Sequence, residues 1–164
     1  MNELVYVEMV CDLVGYRGET VSLSSEYTLH PLGAVDAETL YPCYVASFKA
    51  GDSLLFHQQN EAEQREFFDS LCLEEARTTP GSSLISKAGR VVGFTYLIPY
   101  GEKNCHISCM CVAPEEQRRG LGKVMLDYVI WMARENGIDS ITLGTEPAMR
   151  AFRLYRIFEF EVIE

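Results

Sequence analysis

The sequence predicts a mixed α/β fold: an α+β mixed sheet, antiparallel through its middle and parallel at one junction. Three observations predict it. First, the β-rich runs Leu84 to Ala88, Val91 to Ile98 and Cys105 to Val112 follow in close order, with the turn signals Gly89-Arg90 and Pro99-Tyr100-Gly101 between them. Connections this short join antiparallel neighbours, so the three runs form a meander. Second, the hydrophobic period changes after Pro114, and Leu121, Val124, Met125, Tyr128, Val129 and Met132 fall on one helical face. Third, that helix stops at Gly137 and the β-rich stretch Ser140 to Thr145 follows. A right-handed crossover then makes the strands on either side of the helix parallel.

The remaining elements follow from local signals. Leu4 to Val14 is rich in apolar and β-branched residues, Gly15-Tyr16-Arg17-Gly18 is a turn signal, and Thr20 to Leu23 alternates. This predicts a β-hairpin over residues 1–26, set apart from a main domain over 27–164. Tyr27 to Leu32 reads as a short strand ended by its proline. Thr39 to Lys49 reads as a helix, with Pro42 in its first turns and Gly51 beyond its end. Asn60-Glu61-Ala62-Glu63 has the pattern of an N-cap with an acidic partner three residues on. The helix it opens is expected to reach Ala76 and to turn Ala62, Phe67, Phe68, Leu71 and Cys72 towards a core. Pro147 opens a last helix carrying Met149, Phe152 and Tyr155, and Phe158 to Ile163 closes the chain as a strand. Beyond the hairpin the order is β-α-α-β-β-β-α-β-α-β.

Composition excludes several function classes. A chain of 164 residues with 48% hydrophobic residues supports one domain with a packed core. Its apolar runs are too short for a membrane span, and Met1 to Val10 carries Glu3 and Glu8 but no Lys or Arg, unlike a secretory leader. The expectation is a cytoplasmic protein with no membrane partner. A formal charge of −10 argues against a nucleic-acid partner, whose phosphates demand cations, and suits a cationic substrate. None of the six cysteines forms a Cys-x-x-Cys pair, so no metal is expected and the thiols are read as reduced. Cys105, Cys109 and Cys111 share one parity of their strand and are expected to face the same way.

The stretch Val112 to Met125 joins a strand to a helix through Gln117-Arg118-Arg119-Gly120-Leu121-Gly122-Lys123. Arginines and a lysine stand at the helix N-terminus, where cations are disfavoured unless an anion is bound there. A Walker A loop needs four residues between its first glycine and Gly-Lys-Ser/Thr; here only Leu121 separates the glycines and Val124 follows the lysine. A dinucleotide fingerprint needs a third glycine where Met125 stands. A plain βα turn with glycines for packing remains open from these residues alone. Gln117 to Gly122 resembles the Gln/Arg-x-x-Gly-x-Gly/Ala signature of the GCN5-related N-acetyltransferase (GNAT) superfamily, and from about residue 27 to 163 the element order resembles that fold.

The resemblance implies roles. Backbone N–H groups of Gln117, Arg118, Arg119, Gly120, Leu121, Gly122 and Lys123 would hold the pyrophosphate of acetyl-coenzyme A, the expected cosubstrate. Met110, Cys111 and Val112, on the strand that is splayed or bulged in this family, would pair with the pantetheine arm and polarise the acetyl carbonyl. Ala151-Phe152-Arg153-Leu154-Tyr155, followed by Phe160, resembles the family's Ala-x-x-Leu-Tyr-x-x-x-Gly-Phe, so Tyr155 would protonate the leaving thiolate. Two positions depart from the pattern: Ala148 replaces a frequent asparagine near the coenzyme arm, and Glu159 replaces the glycine before Phe160, implying a different turn after the helix. His106, on the same alternating face as Ser108 and Met110, is the candidate base, because histidine titrates near neutrality. Glu102 and Glu146 are its rivals, and His30 and His57 have no motif context.

The function implied is transfer of an acetyl group from acetyl-coenzyme A to a primary amine by direct attack in a ternary complex. The amine could belong to a small molecule, a protein N-terminus or a lysine, and a homodimer is compatible with the family. The alternatives are a non-catalytic acyl-coenzyme A sensing module, kept open by Ala148 and Glu159, and a coenzyme-free domain whose basic loop meets an acidic partner.

Overall fold

The computed structural model describes residues 3–18 and 20–163. Met1, Asn2 and Glu19 of the expected hairpin, and Glu164 at the expected domain end, lie outside the described residues. The elements run β1 (Val7–Asp12), β2 (Tyr27–Pro31), α1 (Ala37–Lys49), α2 (Leu54–His57), α3 (Glu61–Asp69), α4 (Leu73–Thr78), β3 (Ser83–Lys87), β4 (Arg90–Pro99) and β5 (Asn104–Val112). A 3-10 turn (Pro114–Glu116), α5 (Leu121–Glu135), β6 (Ser140–Thr145), α6 (Arg150–Ile157) and β7 (Glu161–Val162) complete them. The strands form one seven-stranded sheet in the order β2-β3-β4-β5-β6-β1-β7. β5 and β6 are parallel, and the other neighbours are antiparallel.

The expected N-terminal hairpin does not form. β1 lies inside the sheet, paired with β6 on one side and β7 on the other, so neither of its edges is free for Thr20 to Leu23. The chain must instead travel from β1 to β2 at the opposite edge. It crosses α5 on the way, where the Val21 N–H meets Asp127 Oδ2 at 3.4 Å.

The helices divide between the two faces of the sheet. Phe68 of α3 packs its ring 6.3 Å from that of Tyr96, and Cys43 of α1 shares a core with Phe94, Cys109 and Cys111. On the other face Met125 of α5 receives the Thr95 hydroxyl at 3.3 Å, and Leu126, Val129 and Ile130 pack with Leu97, Ile107 and Tyr155. The Asn60–Glu63 capping box opens α3 with both of its reciprocal hydrogen bonds, at 2.8 and 2.9 Å, worth about 1 kcal/mol for the side-chain cap.

Three further expectations are corrected. The helix expected to run from Asn60 to Ala76 breaks after Asp69, because Cys72 adopts a left-handed conformation (φ 67) and starts α4 in a new direction. Phe68, Leu71 and Ala76 reach the core, but Ala62 is exposed. Pro147 opens a turn rather than a helix: the Met149 N–H bonds the Glu146 carbonyl (2.9 Å), and α6 starts at Arg150. The third correction concerns β5. Tyr96 faces Cys109 and Leu97 faces Ile107, so Ser108 has no partner on β4 and forms a bulge. Adjacent residues of β4 point to opposite faces, so the bulge reverses the alternation along β5. Cys105 and Ile107 face α5, whereas Cys109 and Cys111 face α1. The three cysteines therefore do not share a face. All six cysteines are free thiols.

Candidate active site

The site is built where β5 leaves β6. The two strands pair only over Asn104–Ile107 and Ser140–Leu143, and they part from the Ser108 bulge onward. The Ser108 hydroxyl is occupied, donating to the Leu71 carbonyl at 2.7 Å, a carbonyl presented by the break between α3 and α4. On the β4 side, Ala113 N–H bonds the Val92 carbonyl at 2.8 Å. Hydrogen bonding alternates along an antiparallel pair, so Cys111 turns its N–H to β4 while Met110 and Val112 turn theirs to the open side. Of the three residues expected along the coenzyme arm, two thus have free amides and Cys111 contributes only to the cleft wall.

Past Val112 the chain forms the loop. Arg118 (φ 65) and Gly120 (φ 82) are both left-handed and flank Arg119. That conformation costs a residue with a Cβ about 1 kcal/mol or more, which explains glycine at 120. A Cβ on Gly120 would meet open space, whereas one on Gly122 would come 2.8 Å from Leu154 Cδ2, so Gly122 also lets α5 and α6 approach. The first backbone bond of α5 joins Val124 N–H to the Gly120 carbonyl (3.1 Å). The N–H groups of Leu121, Gly122 and Lys123 are therefore unpaired first-turn donors. Gln117 ties the loop to β5 through Nε2 and the Val112 carbonyl (3.0 Å).

These residues line a cleft of about 330 Å³ that runs from Gln117, Arg118 and Lys123 past Met110–Val112. Ser47–Asp52 and Met149–Leu154 supply residues to its other walls. Unpaired helix-start donors, three cations (Arg118, Lys123 and Arg150) and a strand with free amides fit a pyrophosphate followed by a peptide-like arm. Arg119 is turned elsewhere. Its guanidinium lies 3.8 Å from Glu116, whose buried carboxylate also accepts from Tyr27 (2.8 Å) and Lys87 (2.8 Å). The three loop cations therefore divide, with Arg118 and Lys123 on the cleft and Arg119 in a network behind it.

A second cavity of about 110 Å³ adjoins the cleft, sharing Phe48, Met110, Met149 and Ala151 with it. Tyr155 enters from α6, 7% exposed, and among the described residues its hydroxyl makes no hydrogen bond. Burial above all, with Cys109 and Tyr6 adding to it, pushes its pKa well up, so the hydroxyl keeps its proton at neutral pH. The turn after α6 is not the different one that Glu159 implied. Glu159 takes the left-handed conformation itself (φ 67), and Phe160 N–H closes onto the Tyr155 carbonyl at 3.0 Å.

The structure separates His106 from this site. It pairs with Ile98, on the face opposite Met110, because the bulge lies between them. Its Nδ1 is 2.9 Å from the Thr142 hydroxyl, its ring packs on Tyr100, and it lines neither cavity. Burial lowers its pKa, offset in part by Glu8. Glu146 does line the second cavity, whereas Glu102 lines neither. His30 contacts the Ser86 hydroxyl, and His57 the Gly51 carbonyl.

Sequence reasoning missed α2 and the residues that it and the N-terminal arm bring to the cavity. Ser53 before Leu54-Leu55-Phe56 is an N-cap signal that could have located the helix. Tyr6 carries no such signal. Its hydroxyl lies where a Cβ on Gly144 would sit, only 2.3 Å away.

The comparisons with known proteins agree with this fold. A GCN5-related N-acetyltransferase from Sphaerobacter thermophilus superposes with a TM-score of 0.71 at 18% identity, covering 96% of this chain and 48% of its own. Ard1 from Thermoplasma volcanium gives 0.63 at 20% identity, with 85% of each chain covered. The PaiA N-acetyltransferase of Thermoplasma acidophilum, solved in complex with coenzyme A, gives 0.61 at 15% identity, covering 79% of this chain and 86% of that one. The chain spans about half the length of several of the structures it matches. No curated protein matches it by sequence. The sequence profile of the Acetyltransferase (GNAT) family matches residues 40–160, which include the meander, the left-handed loop and Tyr155, and the chain belongs to that family.

Proposed function

We propose that the protein transfers an acetyl group from acetyl-coenzyme A to a primary amine by direct attack within a ternary complex. The observation that carries this reading is the continuity of the two cavities: the phosphate-binding loop opens onto Met110–Val112, and that strand leads to Tyr155. Bound acetyl-coenzyme A would supply an activated acyl group as a thioester. Leu121, Gly122 and Lys123 present backbone N–H groups to the pyrophosphate, with Arg118 and Lys123 adding charge. The Met110 and Val112 N–H groups face the open side of β5, where they can hold the arm and receive the negative charge that develops on the carbonyl oxygen. One such donor contributes roughly 3 kcal/mol in comparable sites. Only the neutral amine can attack, so an ammonium first sheds one proton to solvent. As the carbon–nitrogen bond forms and the carbon–sulfur bond breaks, Tyr155 can give its proton to the sulfur, and the tyrosinate is reprotonated by the proton that the acetylated nitrogen loses.

Calorimetry with coenzyme A, and release of free thiol from acetyl-coenzyme A over a panel of amines, test this reading. Gly120→Val should lose coenzyme binding, because a β-branched residue cannot hold the loop's left-handed turn. A wild-type protein that binds no coenzyme A would overturn the proposal. Coenzyme binding without thiol release on any amine would favour the acyl-coenzyme A sensing module.

A further inference from the structure

The second cavity has a composition that the acyltransfer reading does not require. Its only carboxylate among the described residues is Glu146, and no Lys or Arg lines it. Glu146 is 5% exposed. It accepts hydrogen bonds from the Ser53 hydroxyl (2.5 Å), the Leu54 N–H (2.7 Å) and the Leu55 N–H (3.4 Å). Those donors are neutral, and among the described residues no cation pairs with it. Buried charges ordinarily have a counter-charge, so this carboxylate is solvated but not neutralised. A second group points the same way. Gln59 lines the same cavity, and its side-chain oxygen is buried with no hydrogen-bond partner. One charged acceptor without a counter-charge and one neutral acceptor without any partner thus share one small cavity.

Much of the remaining wall is aromatic, with Ile107, Met110, Leu143 and Met149 among its aliphatic residues. Tyr6, Tyr44, Phe48, Phe56, Phe67 and Tyr155 surround it. The cavity is about 110 Å³ and opens into the cleft through shared walls, so it admits at most one ring; closed engineered cavities of about 150 Å³ are filled by benzene. Aromatic faces favour both a flat apolar body and a cation beside it.

We infer that the acceptor is a compact primary amine on an aromatic or similarly apolar body, cationic and without a carboxylate, its ammonium drawn to Glu146 and Gln59. This inference rests on the acyltransfer reading above for the fate of the amine, but not for its binding. An amino acid of the same size is excluded by charge: its carboxylate would enter a buried space that already holds an unneutralised Glu146. The N-terminal arm shares in the selection, because Tyr6 forms one wall and lies over Gly144.

The test uses benzylamine and phenylalanine, which share a ring and differ in the carboxylate. Their binding is measured by NMR titration without coenzyme, and their acetylation with acetyl-coenzyme A. Benzylamine should bind, and be acetylated, at least tenfold better than phenylalanine. Glu146→Gln should weaken benzylamine binding tenfold or more. Because Glu146 also holds the start of α2, Gln59→Leu serves as the second variant; it leaves that contact intact and should weaken benzylamine binding several-fold without altering coenzyme affinity. Equal binding of the two probes, or unchanged benzylamine binding in both variants, would overturn the inference. Selective benzylamine binding with no acetyl transfer leaves it standing and removes the acyltransfer reading. Acetyl transfer to other amines, with benzylamine unbound, does the reverse.

Discussion

The hydroxyl of Tyr27 donates a 2.8 Å hydrogen bond to the carboxylate of Glu116, joining the edge strand β2 to the turn that precedes the Gln117–Lys123 loop. Glu116 is 3% exposed, and Lys87 and Arg119 approach the same carboxylate. A glutamate so close to the proposed coenzyme loop would repel an anionic ligand if it were free. Here its charge is taken up by Lys87 and Arg119, and it anchors the loop from behind.

This anchor makes stability depend on pH in a defined direction. Lys87 first, then Tyr27, hold the Glu116 pKa below the usual carboxylate value, against the upward push of burial. A depressed folded pKa stabilises the protein above the unfolded value of about 4.3, and that contribution is lost as pH falls through the folded pKa. Glu116→Gln should therefore lower the melting temperature at neutral pH, and the gap from wild type should close in acid. A melting series between pH 3 and pH 7 decides it: a gap that stays constant to the lowest pH means that the charge of Glu116 is not what anchors the loop.

The loop cations should differ in their effect on coenzyme binding. Arg118→Ala and Lys123→Ala remove charges on the cleft, so each should weaken coenzyme A binding and flatten its salt dependence. Arg119→Ala should do so much less, because Arg119 faces Glu116 and Tyr27. Calorimetry at low and high ionic strength measures this. Equal effects from all three would show that proximity in sequence, and not side-chain direction, governs the electrostatics.

Tyr155→Phe keeps the ring that packs 5.9 Å from Phe160 and removes only the hydroxyl. The chemical step should slow at least tenfold, within the range of about 10²–10⁴-fold typical of general acids, while acetyl-coenzyme A affinity is little changed. Single-turnover rates at several pH values check this. Full activity in the variant would remove Tyr155 from the proton path.

His106 should act on stability and not on rate. Burial lowers its folded pKa, so as pH falls below the unfolded value of about 6.5 the unfolded chain takes up the proton first, and stability declines. His106→Gln should lose less stability between pH 7 and pH 5 than the wild type does, with the acidic limb of kcat/KM unchanged. Denaturant midpoints and a pH–rate series measure the two halves. A flattened acidic limb would restore His106 as the base.

The sequence by itself determined the elements whose signals are short-range. The β3-β4-β5 meander followed from loops too short to cross over, α3 from the Asn60–Glu63 box, and the end of α5 from Gly137, each a matter of a few neighbouring residues. The basic strand-to-helix loop Gln117 to Lys123 was legible for the same reason. Only the tertiary structure decided what depends on a distant partner. The Ser108 bulge exists in the pairing of β5 with β4, and it alone sets which cysteines face α1 and moves His106 away from Met110. β1 looked like half of a hairpin because alternation marks a strand without marking its neighbour; β6 and β7, more than 120 residues away in sequence, claim both its edges. The acceptor cavity is the extreme case. Ser53 and Glu146 are 93 residues apart and carry no common motif, and their hydrogen bond arises because parting β5 from β6 leaves a space that α2 and the end of β6 close together.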